Sequence, residues 1–183
     1  MSIHSFVGEQ LDSQALYERQ KILRAGQSYL PGPTILAAGL EVPENIGSVL
    51  RLADAVGCQG VVFINSNSDI SHHQKRIQRT ARNCDALVNW EVWTPARFLE
   101  SSDSFQPLIA LELTTDSTSI FENALPGKCA LTIGSERYGI PPLLLAKCQQ
   151  AVHIPMYGVN GSMNVTHALA VALFEWRRQH STS

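Results

Sequence analysis

The chain has 183 residues, 44% of them apolar and 16% charged, with a formal net charge of −2. That length and apolar content suit one well-buried core and exclude disordered and fibrous classes. The charge balance excludes a uniformly basic nucleic-acid binder, since phosphate neutralisation shows as an excess of Lys and Arg. No apolar run approaches the roughly 20 residues needed to cross a bilayer. Met1-Ser2-Ile3-His4-Ser5 lacks the basic start and apolar stretch of a signal peptide, so a cytoplasmic protein without membrane association is expected.

In chain order, residues 6–29 carry a weak helical pattern with many polar positions and run into the breaker Pro31-Gly32-Pro33. Residues 1–33 therefore read as an N-terminal helical extension, and residues 34–183 as the main domain. That domain alternates helical stretches with short β-rich runs. The runs are Thr34-Ile35-Leu36-Ala37-Ala38, Gly60-Val61-Val62-Phe63-Ile64, Leu108-Ile109-Ala110-Leu111, Ala130-Leu131-Thr132-Ile133 and Ala151-Val152-His153-Ile154. Near-continuous apolar strands separated by helices predict an α/β fold, a parallel sheet covered by helices on both faces.

After the first strand, the spacing predicts a helix over residues 45–56 with Ile46, Val49, Leu50 and Ala53 on its buried stripe. Gly47, Ser48 and Arg51 share another face, which aims an arginine from the carboxyl end of the first strand, where open α/β sheets bind ligands. Lys75, Arg76, Arg79 and Arg82 fall within eight positions, as on a solvated helix face. The last helix, residues 163–178, puts Val165, Leu169, Ala172, Leu173 and Trp176 on one stripe but leaves Val171 and Phe174 off it. A helix apolar on more than one side is buried on more than one side, so a second copy of the chain is the expected cover.

Several signatures are missing. No G-x-G-x-x-G follows the first strand, Gly127-Lys128 lacks the rest of a P-loop, and no G-x-S-x-G is present. Cys58, Cys84, Cys129 and Cys148 form no C-x-x-C pair and have no histidine at zinc spacing, so reduced core thiols and no metal are expected.

Three stretches remain, each joining glycine to polar residues at the end of an expected strand. They are Pro43-Glu44-Asn45-Ile46-Gly47-Ser48-Val49-Leu50-Arg51, Ile133-Gly134-Ser135-Glu136-Arg137-Tyr138-Gly139-Ile140-Pro141 and Ile154-Pro155-Met156-Tyr157-Gly158-Val159-Asn160-Gly161-Ser162-Met163-Asn164-Val165. In this order and spacing they resemble the signature motifs of the SpoU (TrmH) family of the SPOUT methyltransferase superfamily. The resemblance runs over residues 34–178, and Arg79-Thr80-Ala81-Arg82 also resembles the family's segment after the second strand.

The resemblance implies a C-terminal deep trefoil knot, an exception to the rule that chains do not thread loops. It also implies a homodimer with the active site at its interface, and S-adenosylmethionine bound in the knot by loop backbone. Leu113, Gly134, Ile154, Met156, Ser162 and Met163 match cofactor-pocket positions; Met163 stands where many relatives have leucine, a swap of similar volume. Arg51, Asn45, Glu136 and Asn164 match catalytic positions.

The implied reaction is methyl transfer to a ribose 2′-hydroxyl of RNA. It needs the 2′-oxygen held near the methyl carbon and its proton removed. Arg51 matches the residue proposed as catalytic. Because guanidinium groups stay protonated in proteins, fixing a phosphate and stabilising a developing alkoxide is the more economical role than that of base. Glu136 either organises the pocket or serves a salt bridge. Asn164 either reaches ligand or caps the last helix, and Ser162 is the other cap candidate.

With RNA as substrate, Lys75, Arg76, Arg79 and Arg82 form an expected phosphate track. A tRNA loop is the first expectation, because selection often comes from appended segments and the chain shows only its short N-terminal extension. Ribosomal RNA, or an RNA-binding protein of this fold that has lost catalysis, are the alternatives.

Overall fold

The computed structural model describes residues 10–26, 29–66 and 73–181. The chain divides into two compact units, Met1–Leu30 and Pro31–Ser183. In the first unit the described residues form α1 (Ser13–Gly26), with no buried residue. The Asp12 carboxylate accepts the Ala15 amide at 2.8 Å and so caps its start. The expected helix over 6–29 is thus shorter, and its residues 6–9 and 27–28 lie outside the described ones.

The second unit is built on seven parallel strands: β1 (Gly32–Ala38), β2 (Cys58–Ile64), β3 (Trp90–Trp93), β4 (Leu108–Leu111), β5 (Thr118–Ser119), β6 (Ala130–Ile133) and β7 (Gln150–His153). Their spatial order is β3-β2-β1-β6-β4-β7-β5. The helices are α2 (Pro43–Val56), α3 (Gln74–Ala81), α4 (Pro95–Ser101), α5 (Pro142–Leu145) and α6 (Val165–His180). One sheet face packs against α2, α3 and α6 through Ile46, Val49, Leu50, Ile77, Leu169, Leu173 and Trp176. The other packs against Phe98 of α4 and Leu144 of α5. Both faces are covered, as parallel sheets require. Each large apolar side chain removed from water here contributes about 1.5–3 kcal/mol. The largest, Trp176, is also satisfied at its polar end, where the indole N–H donates to the Pro126 carbonyl at 2.9 Å.

Several boundaries depart from the sequence reading. β1 starts at Gly32 rather than Thr34, because the Gly32 amide donates to the Gly57 carbonyl at 2.8 Å and a Cβ there would lie 3.1 Å from Cys58 Cα. Proline is tolerated at the first residues of a strand, so the apparent breaker is strand. α2 begins at Pro43, preset for the first helical turn. β7 ends at His153, leaving Ile154 just beyond it. β3 and β5 add two strands to the five expected.

α6 begins at Val165 because Asn164 is its cap; the side-chain oxygen accepts from Thr166 N at 2.8 Å and Thr166 Oγ1 at 2.6 Å. Ser162 is therefore not the cap. On α6, Leu169, Ala172, Leu173 and Trp176 are buried, Val171 is half-buried, and Phe174 is exposed.

Gly47 carries the crossing of α2 and α3. A Cβ at this position would sit 2.7 Å from both the Ile77 carbonyl oxygen and Thr80 Cβ. Backbone on one side and a β-branched side chain on the other leave little room to yield. Gly47→Ala is expected to lower the unfolding free energy by about 1–3 kcal/mol in urea titration. An unchanged midpoint would show that the two helices separate freely.

Candidate functional site

Parallel strands send their carboxyl ends to one edge, and the three motif stretches all leave from that edge. β1 pairs with β6 in the register Thr34 to Ala130 through Ala37 to Ile133. The first two stretches therefore emerge side by side. Asn45, in the first turn of α2, donates through its side-chain amide to Glu136 Oε1, joining residues 91 apart in sequence.

The turn after β6 is closed on itself. Ser135 N donates to the Gly139 carbonyl at 3.1 Å, Gly139 N returns a bond to Ser135 O at 3.0 Å, and Tyr138 N donates to Ser135 Oγ at 3.1 Å. Gly139 has a φ of 64°, in the left-handed region that favours glycine. Gly134 faces it so closely that a Cβ would lie 2.0 Å from the Gly139 carbonyl carbon. Two glycines in contact are what let the turn fold back over its own strand.

Between this turn, the ends of β4 and β7, and residues 158–163 lies a cavity of about 630 Å³, within the range of small-molecule sites. Leu113, Gly134, Ile154, Met156, Ser162 and Met163 all line it, with Glu136 and Gly139. Its walls are largely apolar. Of the four residues matched to catalytic positions, Glu136 lies in the wall and Asn45 is tied to it, whereas Asn164 caps α6 behind the lining residues Ser162 and Met163. Arg51 is exposed on α2, outside the lining, on the side of the helix turned toward Cys84. Burial pushes the Cys84 thiol up, helped by the Asp54 carboxylate and opposed by the Arg51 charge.

Lys75, Arg76 and Arg79 are exposed on α3, and Arg82 follows in the left-handed cap at φ 49°. They are not equivalent. Arg76 spends its guanidinium on Glu44, with Nε on Oε1 and Nη2 on Oε2, both at 3.0 Å. This fork lies at the start of α2, where a backbone N–H and then Arg76 hold the Glu44 carboxyl below its usual range. Lys75, Arg79 and Arg82 are the cations of this group that remain for an anion.

Glu112 and His153 also line the cavity, although neither belongs to the three motifs. Ser117 Oγ accepts the Thr114 amide at 3.0 Å and donates to the Thr114 carbonyl at 2.9 Å. It also lies 3.0 Å from His153 Nδ1, within hydrogen-bonding distance. The signal in the sequence was a polar residue at the end of an apolar strand, which without the fold has no partner to give it meaning.

Burial pushes the Cys58 thiol up to about 12 and that of Cys129 to about 11, so both stay protonated and unreactive at neutral pH. Among the described residues, all four cysteines are free, and no three His, Cys, Asp or Glu side chains are grouped to hold a metal ion. No helix of the described residues is long and apolar enough to cross a membrane.

A parallel α/β sheet carrying a ligand-sized cavity over the ends of β4, β6 and β7 defines the class. The chain belongs to the SpoU rRNA Methylase family, whose profile matches residues 33–174. It is similar to the 23S rRNA (guanosine-2′-O-)-methyltransferase RlmB of Haemophilus ducreyi, with 33% identity over 79% of this chain and 59% of that protein. It spans about three fifths of the length of the first curated relatives it matches. The tRNA (guanosine(18)-2′-O)-methyltransferase of Thermus thermophilus is 28% identical over 87% of this chain and 80% of that one. A crystal structure of an RNA 2′-O ribose methyltransferase superposes with a TM-score of 0.71 at 28% identity, covering 85% of this chain and 60% of the other. An AdoMet-bound rRNA methyltransferase from Sinorhizobium meliloti shares the fold, with a TM-score of 0.74 at 21% identity over 85% and 63% of the two chains.

Asn164→Ala removes a cap that serves two donors. It is expected to lower stability by about 1 kcal/mol in thermal unfolding followed by far-ultraviolet circular dichroism. Unchanged stability would leave ligand contact as the reason for asparagine here.

Proposed function

We propose that this chain is a cytoplasmic enzyme that transfers a methyl group from S-adenosylmethionine to a ribose 2′-hydroxyl of RNA, with tRNA as the first substrate. The observation that carries the reading is the convergence of Leu113, Gly134, Ile154, Met156, Ser162 and Met163 on one cavity of about 630 Å³. Its size and apolar walls fit the nucleoside and side chain of the cofactor. When bound, S-adenosylmethionine supplies an activated methyl group on a sulfonium. In this reading the C-terminal part of the chain forms a deep trefoil knot, the SPOUT domain expected from residue 34 begins three residues earlier as the unit Pro31–Ser183, and Met1–Leu30 is an appended segment.

The chain's own residues divide the remaining work. Asn45 and Glu136 hold each other at the rim, fixing the first turn of α2 against the cavity wall. Arg51 fixes the phosphate beside the acceptor ribose and stabilises negative charge growing on the 2′-oxygen. Its exposure outside the lining favours an active site completed by a second copy, as does the exposed Phe174 on α6. Lys75, Arg79 and Arg82 hold further phosphates. The tRNA reading is supported by the likeness to the Thermus tRNA enzyme, which runs over 80% of that protein, against 59% of the Haemophilus rRNA enzyme.

Incubation with radiolabelled S-adenosylmethionine is expected to label total tRNA in a ribose-methylated nucleotide, and Arg51→Ala to reduce the rate by about 10²–10³-fold. Label in ribosomal RNA instead would move the substrate. No label in either pool despite cofactor binding would assign an RNA-binding protein without the chemistry.

Replacing Lys75 and Arg79 together by alanine is expected to weaken RNA binding across sequences and to flatten its salt dependence, by about one unit of slope for each phosphate no longer neutralised. Arg76→Ala, by contrast, is expected to act through α2 with a smaller change in slope. Equal slopes for all three proteins would remove the phosphate track.

A further inference from the structure

Glu112 stands directly after the apolar residues of β4, where its backbone amide donates to the Val152 carbonyl at 3.0 Å and locks the main chain between two strands. From that fixed point its carboxylate accepts two backbone N–H groups. Oε1 takes Leu113 N at 3.1 Å, and Oε2 takes Ile140 N at 3.1 Å. The two donors come from different places around one cavity: Leu113 lines it, and Ile140 directly follows the turn that carries the lining residues Glu136 and Gly139.

Space for this arrangement depends on Gly139. A Cβ there would lie 2.5 Å from Glu112 Oε2 and 3.3 Å from its carboxyl carbon. Gly139 is in turn the residue against which Gly134 packs, and it closes the turn with Ser135. A continuous set of contacts runs from Leu113 through the Glu112 carboxylate to Ile140, then through the turn to Glu136 and on to Asn45. Hydrogen bonds to an ionised carboxylate are about twice as strong as neutral ones, and a charged acceptor held by rigid backbone transmits displacement rather than absorbing it.

We infer that Glu112 is a positioning residue that couples the cofactor cavity to the Asn45–Glu136 pair. Displacing the Leu113 wall moves the turn that holds Glu136, so filling the cavity and setting the rim are one event. The inference rests on the reading of the cavity as the methyl-donor pocket, but the coupling is a property of the polypeptide and can be measured without any reaction.

The isosteric Glu112→Gln variant keeps one oxygen acceptor and turns an amide donor toward the other N–H. Hydrogen exchange on the free full-length protein is expected to show faster exchange, by about tenfold, at Leu113 or Ile140 and throughout residues 135–139. S-adenosylhomocysteine affinity by calorimetry is expected to fall about tenfold. The methyl-transfer kcat should fall in the wild-type background and change little further when Glu136→Gln is already present, because both act through one turn.

Faster exchange confined to Leu113 or Ile140, with residues 135–139 unchanged, would overturn the coupling. Fully additive kcat losses in the double variant would do the same. Glu112→Asp, which keeps the charge but is one methylene too short to hold both amides, carries the same readouts if the glutamine variant does not fold. A wild-type protein that shows the protected amides but binds no S-adenosylhomocysteine would refute the methyl-donor reading while leaving the strut in place.

Discussion

The parallel pairing of β1 with β6 is the constraint on which the site depends. Every other neighbour of the cavity is reached from it. β6 also pairs with β4, and β4 with β7, so four consecutive strands deliver their carboxyl ends to one edge. A register shift of one residue between β1 and β6 would turn every β6 side chain to the opposite face. It would also separate Asn45 from Glu136, whose contact bridges 91 positions of sequence.

Close approach matters as much as pairing. Gly47 lets α3 cross α2, while Gly134 and Gly139 let a turn lie over its own strand. The first contact sets the basic helix beside the helix that carries Arg51, and the second shapes one wall of the cavity. In both places a side chain is missing because neighbouring atoms occupy its space: backbone and Thr80 at Gly47, backbone at Gly134, and the Glu112 carboxylate at Gly139. Charge then adjusts what packing has placed. The Glu44–Arg76 fork is exposed and adds little stability, but it ties α3 to the first turn of α2 and leaves Lys75, Arg79 and Arg82 to set the potential of that surface.

Much of this was legible beforehand because the chemistry of strand ends demands unusual residues. Glycine, asparagine, glutamate and proline recur after β1, β6 and β7, and their spacing led to the family. The six expected cofactor residues fall around one cavity for the same reason. β3 and β5 were not legible: Trp-Glu-Val-Trp is a short strand with only partial burial, and Thr118–Ser119 is too short for any periodicity. Pro31-Gly32-Pro33 read as a stop, although a strand can begin with proline when the amides it lacks are not needed. Glu112 and His153 stayed hidden because a single polar residue after a strand has no pattern. Glu112 acquires its role only when a turn 28 residues later is brought beside it, and His153 when Ser117, 36 residues earlier, supplies a hydrogen-bond partner.

The strand order also sets a schedule for synthesis. β1 is central, yet the neighbour on one of its two sides, β6, is encoded after β2, β3, β4 and β5. At the usual pace of translation the open side of β1 waits roughly 5 to 20 s for its partner to emerge. During that interval Ile35, Leu36 and Ala37, completely buried in the finished protein, belong to an unpaired strand edge. The nascent chain is therefore open to misassociation between the emergence of β1 and that of β6, and is protected by whatever shields its first strand until β6 arrives.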